Sequence, residues 1–456
     1  MSAGPEEIGG RLGQLRGMRR TMALIRPFHG LRYDLEHAGD ANALLAPPYD
    51  VVDAAGRAEI GARSPNNCIH VILPEGAGDE RYANGAARFA ALQASGALLR
   101  DPEPGIYVYH QTFESEGQRY TRKGFVALIE LTRFGAGPVL PHERTLSGPK
   151  EDRLKLMRAC QAHLELVFGL FSDPQHRVEA ALDPHLGTPV LEADLDGTGH
   201  RLFRVADQGA VDSVVRLLAD RSIYIADGHH RYETMCSFSD ELRAAGAGES
   251  ARFGMIYLSN LDDPGLVVLP THRVVHSVEG LDLAAAIAEL ASVFEIVREP
   301  LPGNALALRA RLQLAGQAGA AFGLTIPGSG QLDILTLRAG FDPASVGMDG
   351  LPEALQRLDL ALLHELVFDR GFGITREAQA SKRNLRYYKS TEKALALARS
   401  DRPGDAQLVC FANATPVADV VAVCDSGEVM PQKSTFFFPK IPTGLVFHDL
   451  SRGSAE

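Results

Sequence analysis

No stretch of eighteen or more apolar residues occurs in this 456-residue chain, so the sequence offers no membrane-spanning helix. Cysteine is scarce. Five are scattered at Cys68, Cys160, Cys236, Cys410 and Cys424, with no C-x-x-C pair. That excludes the usual zinc and dithiol spacings and a disulfide scaffold, and each cysteine is expected to be a small buried hydrophobe. The odd, sparse count suits a reducing compartment, so a cytoplasmic location is expected. Basic residues are outnumbered, 46 Lys+Arg against 57 Asp+Glu, a formal net charge of −11. This balance argues against broad nucleic-acid or anionic-membrane binding but leaves room for a local basic pocket. There is no internal repeat and no low-complexity tract. Residues 1–21 lack the apolar core of a signal peptide and are expected to form a flexible extension. Familiar catalytic motifs are also missing. The chain has no G-x-x-x-x-G-K-[ST] loop, no G-x-G-x-x-G after a strand, no G-x-S-x-G elbow and no H-E-x-x-H.

What remains is the composition of an ordinary globular protein, 45% hydrophobic and 23% charged. At roughly 150 residues per domain the length suggests about two to three domains. Ile106–Phe113 and Tyr120–Leu131 read as a hairpin around a Glu-Ser-Glu-Gly-Gln turn, and Ala321–Ile326 with Leu332–Leu337 as a second. Helical periodicity marks residues 79–95, 150–163, 211–219, 283–293 and 353–368. Hairpins mixed with helices predict an α+β class, with a mixed α/β sheet. A weak boundary near residues 276–282 divides the expected domains, 22–278 and 279–456.

Three segments carry chemistry. Ser222–Ala226 reads as a short strand and Tyr232–Ala245 as a helix, which puts Asp227-Gly-His-His-Arg231 at the junction. A helix N-terminus presents free N–H groups and attracts anions. Gly228 permits a left-handed turn. His229, His230 and Arg231 add donors for phosphate oxygens. Asp227, an acceptor when ionised, is a candidate Mg²⁺ ligand. The plainer reading of Asp227 is a helix N-cap. The second segment is Pro141–Arg153. Pro149 fits the start of a helix, and Lys150 and Arg153 share a face able to grip an anion. His142, Glu143, Arg144 and Thr145 approach from the loop before it, with Glu143 the candidate general base. In the third, Lys433, Ser434 and Thr435 precede Phe436-Phe-Phe438, itself read as a core or edge strand. Tyr49, Asp50 and Asn67 lie in turns, and Thr271-His-Arg273 reads as a solvated strand end.

Pro47-Pro-Tyr-Asp50, His142-Glu-Arg-Thr145, Gly148–Leu154, Ile225–Thr234, Leu269–Arg273 and Met430–Thr435 together resemble a bacterial and archaeal domain family of unknown function, numbered ten-fifteen. The likeness runs from about residue 23 to 450. Asp-Gly-His-His-Arg after a short strand also resembles the phosphate motif of the ParB/sulfiredoxin-like superfamily, which includes free-serine kinases. That resemblance implies a ParB-like element holding donor phosphates at Gly228–Arg231, with Asp227 assisting metal or hydroxyl placement. The chemistry, rather than a matching motif, assigns the acceptor-activating role to Glu143.

These readings converge on a small-molecule phosphotransferase with free serine as the candidate acceptor and a nucleotide or pyrophosphate as donor. A metal-dependent phosphohydrolase using Asp227, His229, His230, His142 and Glu143 is one alternative; a non-catalytic nucleotide-binding regulator is another. The expected catalytic residues are Glu143, Asp227 and His230. Phosphate is expected at Gly228, His229, His230, Arg231, Lys150, Arg153, Lys433 and Ser434. The acceptor is expected at Tyr49, Asp50, His142, Arg144 and Thr145, and Mg²⁺ at Asp227. Neither a nucleic-acid nor a membrane partner is expected, and the oligomeric state is open.

Overall fold

The computed structural model describes residues 22–451 except Arg144, Leu146 and Gln432. The extension expected over residues 1–21 therefore lies outside the described residues. The first hairpin forms as predicted, between Ile106–Ser115 and Gln118–Glu130, with Ser115 opposite Gln118 and Tyr107 opposite Val126. Its connection, Glu116-Gly117, has φ values of 57° and 75°. Two consecutive left-handed residues match the twist of the flanking strands.

Around this hairpin a nine-stranded sheet assembles. The strands run Val139–Leu140, Ile223–Asp227, Val167–Phe171, Phe253–Asn260, Gln118–Glu130, Ile106–Ser115, Thr198–Val205, Leu191–Leu195, and Ile25–Arg26 pairs onto Gln118–Glu130. Side-chain alternation sorts its residues into two layers. Val108, Phe125, Ile223, Ile225, Ile256 and Leu258 pack with Val214 and Leu218 of the Gln208–Leu218 helix and with Tyr232 and Met235 of the His229–Ala244 helix. Tyr107, Tyr109, Val126, Tyr224, Met255 and Tyr257 belong to the other layer. Covered on both faces, Val167–Phe171 and Phe253–Asn260 are buried at every position.

A six-stranded sheet follows, in the order Phe294–Pro300, Gln331–Leu337, Ala321–Thr325, Ala406–Ala412, His272–His276, Leu385–Tyr388. It contains the second predicted hairpin. Its first strand in the chain, His272–His276, stands just before the expected division at 278/279. Leu308, Leu312 and Leu395, on helices Ala305–Gly316 and Thr391–Ala398, cover one face. Phe322, Leu324, Leu335 and Leu408 join the apolar cluster that includes Tyr107 and Tyr257 of the first sheet. The architecture is α+β, as the mixture of hairpins and helices predicts.

Two expectations are corrected. The helix predicted over 353–368 breaks into Glu353–Gln356, Asp359–Leu362 and a π-helical Leu363–Gly371. Leu360, Ala361, Leu362 and Leu363 are all buried, and four consecutive buried residues cannot sit on one face of a regular helix. Thr271, His272 and Arg273 are not solvated either. All three are buried, because the strand beginning at His272 lies between Ala406–Ala412 and Leu385–Tyr388.

After the second sheet the chain returns across the first. Phe437–Phe438 pairs with Val267–Val268, and His448–Asp449 with Ala162–His163. Arg122, wholly buried, donates to the carbonyls of Phe438 (3.3 Å) and Pro439 (2.7 Å). Gln111 Nε2 donates to the Lys440 carbonyl (3.0 Å). These bonds fix where the Lys440 backbone lies relative to the first sheet. All five cysteines are buried and free, and among the described residues no helix is long and apolar enough to cross a membrane.

Candidate anion-binding site

The strand Ile223–Asp227 ends at Gly228, whose φ of 88° and ψ of 30° turn the chain directly into the helix His229–Ala244. The helix thus begins three residues earlier than the apolar spacing from Tyr232 suggested. Glycine is needed twice over. The backbone is left-handed, and a Cβ would come within 3.0 Å of Arg231 Nε. Asp227 does not cap the helix. Its Oδ2 accepts from Arg231 and its Oδ1 from Lys440. Burial alone would raise the Asp227 pKa, but the charges of Lys440 and Arg231 outweigh it and hold the carboxyl below the usual range.

The 142–145 loop meets this turn. His142 N–H donates to His229 Nε2 (3.2 Å), and the two rings lie edge to face with centroids 4.6 Å apart. His142 Nδ1 donates to the Ile225 carbonyl (2.6 Å), which leaves Nε2 to accept from Thr435 Oγ1 (2.8 Å). Burial pushes the pKa of both histidines down, with each further lowered or offset by its neighbours, so they sit as neutral rings. Glu143 bridges to Met430 along the backbone, and Met430 N–H donates to the His142 carbonyl (2.8 Å). Among the described residues none hydrogen-bonds the Glu143 carboxylate. Thr145 donates to Glu233 Oε2, which also accepts from Lys150 Nζ (3.0 Å). His230 is half-buried beside them. Burial and Lys150 lower its pKa against the pull of Glu233 and Glu143. Arg144 lies outside the described residues.

Some expected ligands point elsewhere. Arg231 is buried, and its guanidinium donates to the Leu166 carbonyl as well as to Asp227. Arg153 is buried too, held by Asp152 (2.6 Å), Glu165 (3.5 Å) and the Ile72 carbonyl (2.8 Å). Both arginines are therefore structural in this state. The helical spacing of Lys150 and Arg153 is real, yet Lys150 turns to Glu233 and Arg153 to Glu165. The Tyr49 ring lies under Arg153, 4.3 Å from its guanidinium carbon, and its N–H reaches Glu165 (3.3 Å). Burial, reinforced by Glu165, raises the Tyr49 pKa to about 12. Asn67 is fully buried and holds backbone groups of Ala43, Leu45 and Ile69, a turn role. Ser434 is buried, and its hydroxyl donates to the Pro431 carbonyl (2.5 Å).

Sequence reasoning missed two lysines. Lys440 closes the Phe-Phe-Phe-Pro-Lys segment and reaches Asp227. Lys389 lies over the Phe436 ring, 4.2 Å from its centroid, with Lys440 5.4 Å from the same ring. Burial, then Lys440 and Lys433, lower the Lys389 pKa, and Asp50 and Asp227 only partly oppose them. Lys433 is exposed and holds a left-handed φ of 60°. Nothing local marked Lys389, because it lies 162 residues from Asp227 in sequence. Proximity of Lys440 to an aromatic run was the one available signal.

The Mg²⁺ expectation at Asp227 does not fit. Both carboxylate oxygens already face cations, and among the described residues no group of three His, Cys, Asp or Glu side chains could hold a metal. The same holds for the five-residue set of the phosphohydrolase alternative, whose His142 and His229 bond each other instead.

Fold and site define an α+β protein with a cation-rich cluster gathered at a strand-to-helix turn. The chain belongs to the family described as Protein of unknown function (DUF1015), which matches residues 25–361. Solved structures similar to it include a conserved hypothetical protein from Pyrococcus furiosus, at TM-score 0.30 and 16% identity over 67% of this chain and 91% of that one. A free serine kinase in complex with AMP gives TM-score 0.31 and 16% identity over 68% and 89%. SbnI with C-terminal truncation from Staphylococcus aureus gives 0.30 and 9% over 67% and 81%. No curated protein matches the chain in sequence. Scores this low leave the function to the chemistry of the site itself.

Proposed function

We propose that this protein is a small-molecule phosphotransferase, moving a phosphoryl group from a nucleotide or pyrophosphate donor to a hydroxyl acceptor, with free serine as the candidate acceptor. One observation carries the reading: Lys389 and Lys440 share the Phe436 ring beside the Asp227–His230 turn, and desolvation together with the charges of Lys440 and Lys433 lowers the pKa of Lys389. Lys440 has Asp227 and Lys150 has Glu233, but Lys389 and Lys433 have no carboxylate bonded to them among the described residues. Cations that crowd one another without a bonded carboxylate favour an anion. Phosphoryl transfer needs such charge neutralisation and positioning more than covalent chemistry from the protein.

In this proposal the donor phosphates lie against Lys389, Lys433, His230 and the N-terminal first turn of the His229–Ala244 helix. Glu143 takes the proton of the acceptor hydroxyl as its oxygen attacks phosphorus and the bond to the departing phosphate breaks. Asp227 holds Lys440 and Arg231 in place rather than a metal. Mg²⁺ enters only as a counter-ion carried on the donor phosphates, its common mode of binding. Residues 22–278 supply the turn and the base, and residues 279–456 fold back the lysines. The likeness of the turn to a ParB/sulfiredoxin-like element suggests the donor and acceptor classes. The test is phosphorus NMR of the protein incubated with ATP, ADP or pyrophosphate and a panel of hydroxyl compounds that includes serine. A phosphorylated acceptor is expected. Donor binding without any acceptor phosphorylation across the panel points to a binding regulator instead.

A further inference from the structure

A cleft of about 300 Å³ adjoins the lysine cluster, with Leu351, Ala361, His364, Tyr387, Met430 and Pro431 among its walls. Met430 is the residue bridged to Glu143, and Pro431 stands two residues before Lys433. Arg273 ties the two places together. Its guanidinium carbon lies 5.6 Å from the centre of the Tyr387 ring, and its NH2 donates to the Lys433 carbonyl (3.2 Å). The walls are mainly apolar, and the Glu365–Arg376 pair at the cleft is already closed (2.6 Å). Those two charges already answer each other, so a zwitterionic amino acid would have to displace one of them. A flat heteroaromatic ring, largely apolar with a few polar edges, suits such walls.

His364 supplies the polar edge. It belongs to the π-helical Leu363–Gly371, a wide-turned form that often accompanies functional sites. The Gln379 amide donates to the carbonyls of Ile374 (2.7 Å) and His364 (3.2 Å), which orients its Oε1 to accept from His364 Nδ1 (2.6 Å). The proton therefore sits on Nδ1, and Nε2 is an acceptor. That atom is buried and has no partner among the described residues. Burial also drives the ring pKa down to about 3, so it does not escape by protonation. A buried acceptor without a donor is costly, and a ligand N–H would satisfy it. Nε2 is closed to solvent, so seating a ligand requires the side chains over it to turn aside.

We propose that this cleft holds the base of the nucleotide donor, a planar purine-type ring offering an N–H to His364, while its phosphates reach Lys433 and Lys389. The inference rests on the reading of the lysine cluster as a phosphate seat. It also separates the donors: a nucleotide engages both places, pyrophosphate only one.

Calorimetric titration of the full chain with ADP and with pyrophosphate tests it, because the two ligands share a diphosphate and differ by the nucleoside. The variants are Leu351→Trp, which fills the cleft from a partly exposed position, and His364→Leu, which removes the acceptor. The unaltered protein is expected to bind ADP at least about tenfold more tightly than pyrophosphate, and both variants to lose that margin while pyrophosphate affinity stays. Equal affinity for the two ligands in the unaltered protein, or an undiminished margin in Leu351→Trp, overturns the base site and leaves the phosphate seat standing. Failure of both ligands to bind overturns the phosphate seat and this inference with it.

Discussion

Replacing Asp227 by asparagine keeps the shape of the side chain and removes its charge. Arg231 is 7% exposed, and Asp227 and Lys440 are each 18% exposed, so the carboxylate joins two largely buried cations. Removing one member of a fully buried ion pair costs about 3–5 kcal/mol, and the residual exposure here lowers the expectation to about 2–4 kcal/mol. The pH dependence follows from the depressed folded pKa of Asp227. Its contribution is fully present above the unfolded aspartate value, about 3.9, and is lost as pH falls through the lower folded value. Urea unfolding followed by circular dichroism should therefore show a wide gap between Asp227→Asn and the unaltered protein at about pH 7 and a narrower one at about pH 3. A gap below about 1 kcal/mol near neutrality, or one that acid leaves unchanged, refutes the reasoning. The variant also discriminates between roles. With Lys440 and Arg231 released, phosphate affinity should hold or rise, whereas a Mg²⁺-binding Asp227 requires it to fall wherever the metal is needed.

Glu143→Gln should keep donor binding by calorimetry and lose phosphoryl transfer; a fully active variant removes Glu143 from the mechanism. Because burial and neighbouring lysines lower the Lys389 pKa, phosphate affinity should decline with rising pH before the ordinary lysine range is reached. Lys389→Met should abolish that decline, and a pH profile identical to that of the unaltered protein would exclude the lysine from the site. Gly228→Ala places a Cβ against Arg231 in a left-handed backbone, a cost of about 1–2 kcal/mol that should appear as a lower urea midpoint.

The long hairpin was legible because its signal is local. Aromatic and β-branched runs either side of a turn specify one another over a short span, and the hairpin formed where it was read, its five-residue turn shortened to Glu116-Gly117. The strand, glycine turn and helix around Asp227 were legible for the same reason, except that the helix reached back to His229 once Gly228 supplied the turn. The meeting of the 142–145 loop with that turn was anticipated from chemistry, and the His142–His229 contact places them together.

Which charges were left to meet a ligand could not be read from the sequence. Arg231 and Arg153 look like phosphate ligands in any linear reading. They are occupied by the Leu166 carbonyl, Asp227, Glu165 and Asp152, and a side chain's partner is decided by whatever the fold packs beside it. Lys389 and Lys440 carry no motif of their own. Lys440 joins Asp227 only because the chain, after building the second sheet, runs back over the first and is pinned there by buried Arg122 and Gln111, and Lys389, at the end of the second-sheet strand Leu385–Tyr388, meets that returning segment at Phe436. The sequence by itself determined the α+β class and the strand-to-helix turn. Tertiary structure alone decided the charge balance of the site, because electrostatic partners are chosen by distance in space, which is unrelated to separation along the chain.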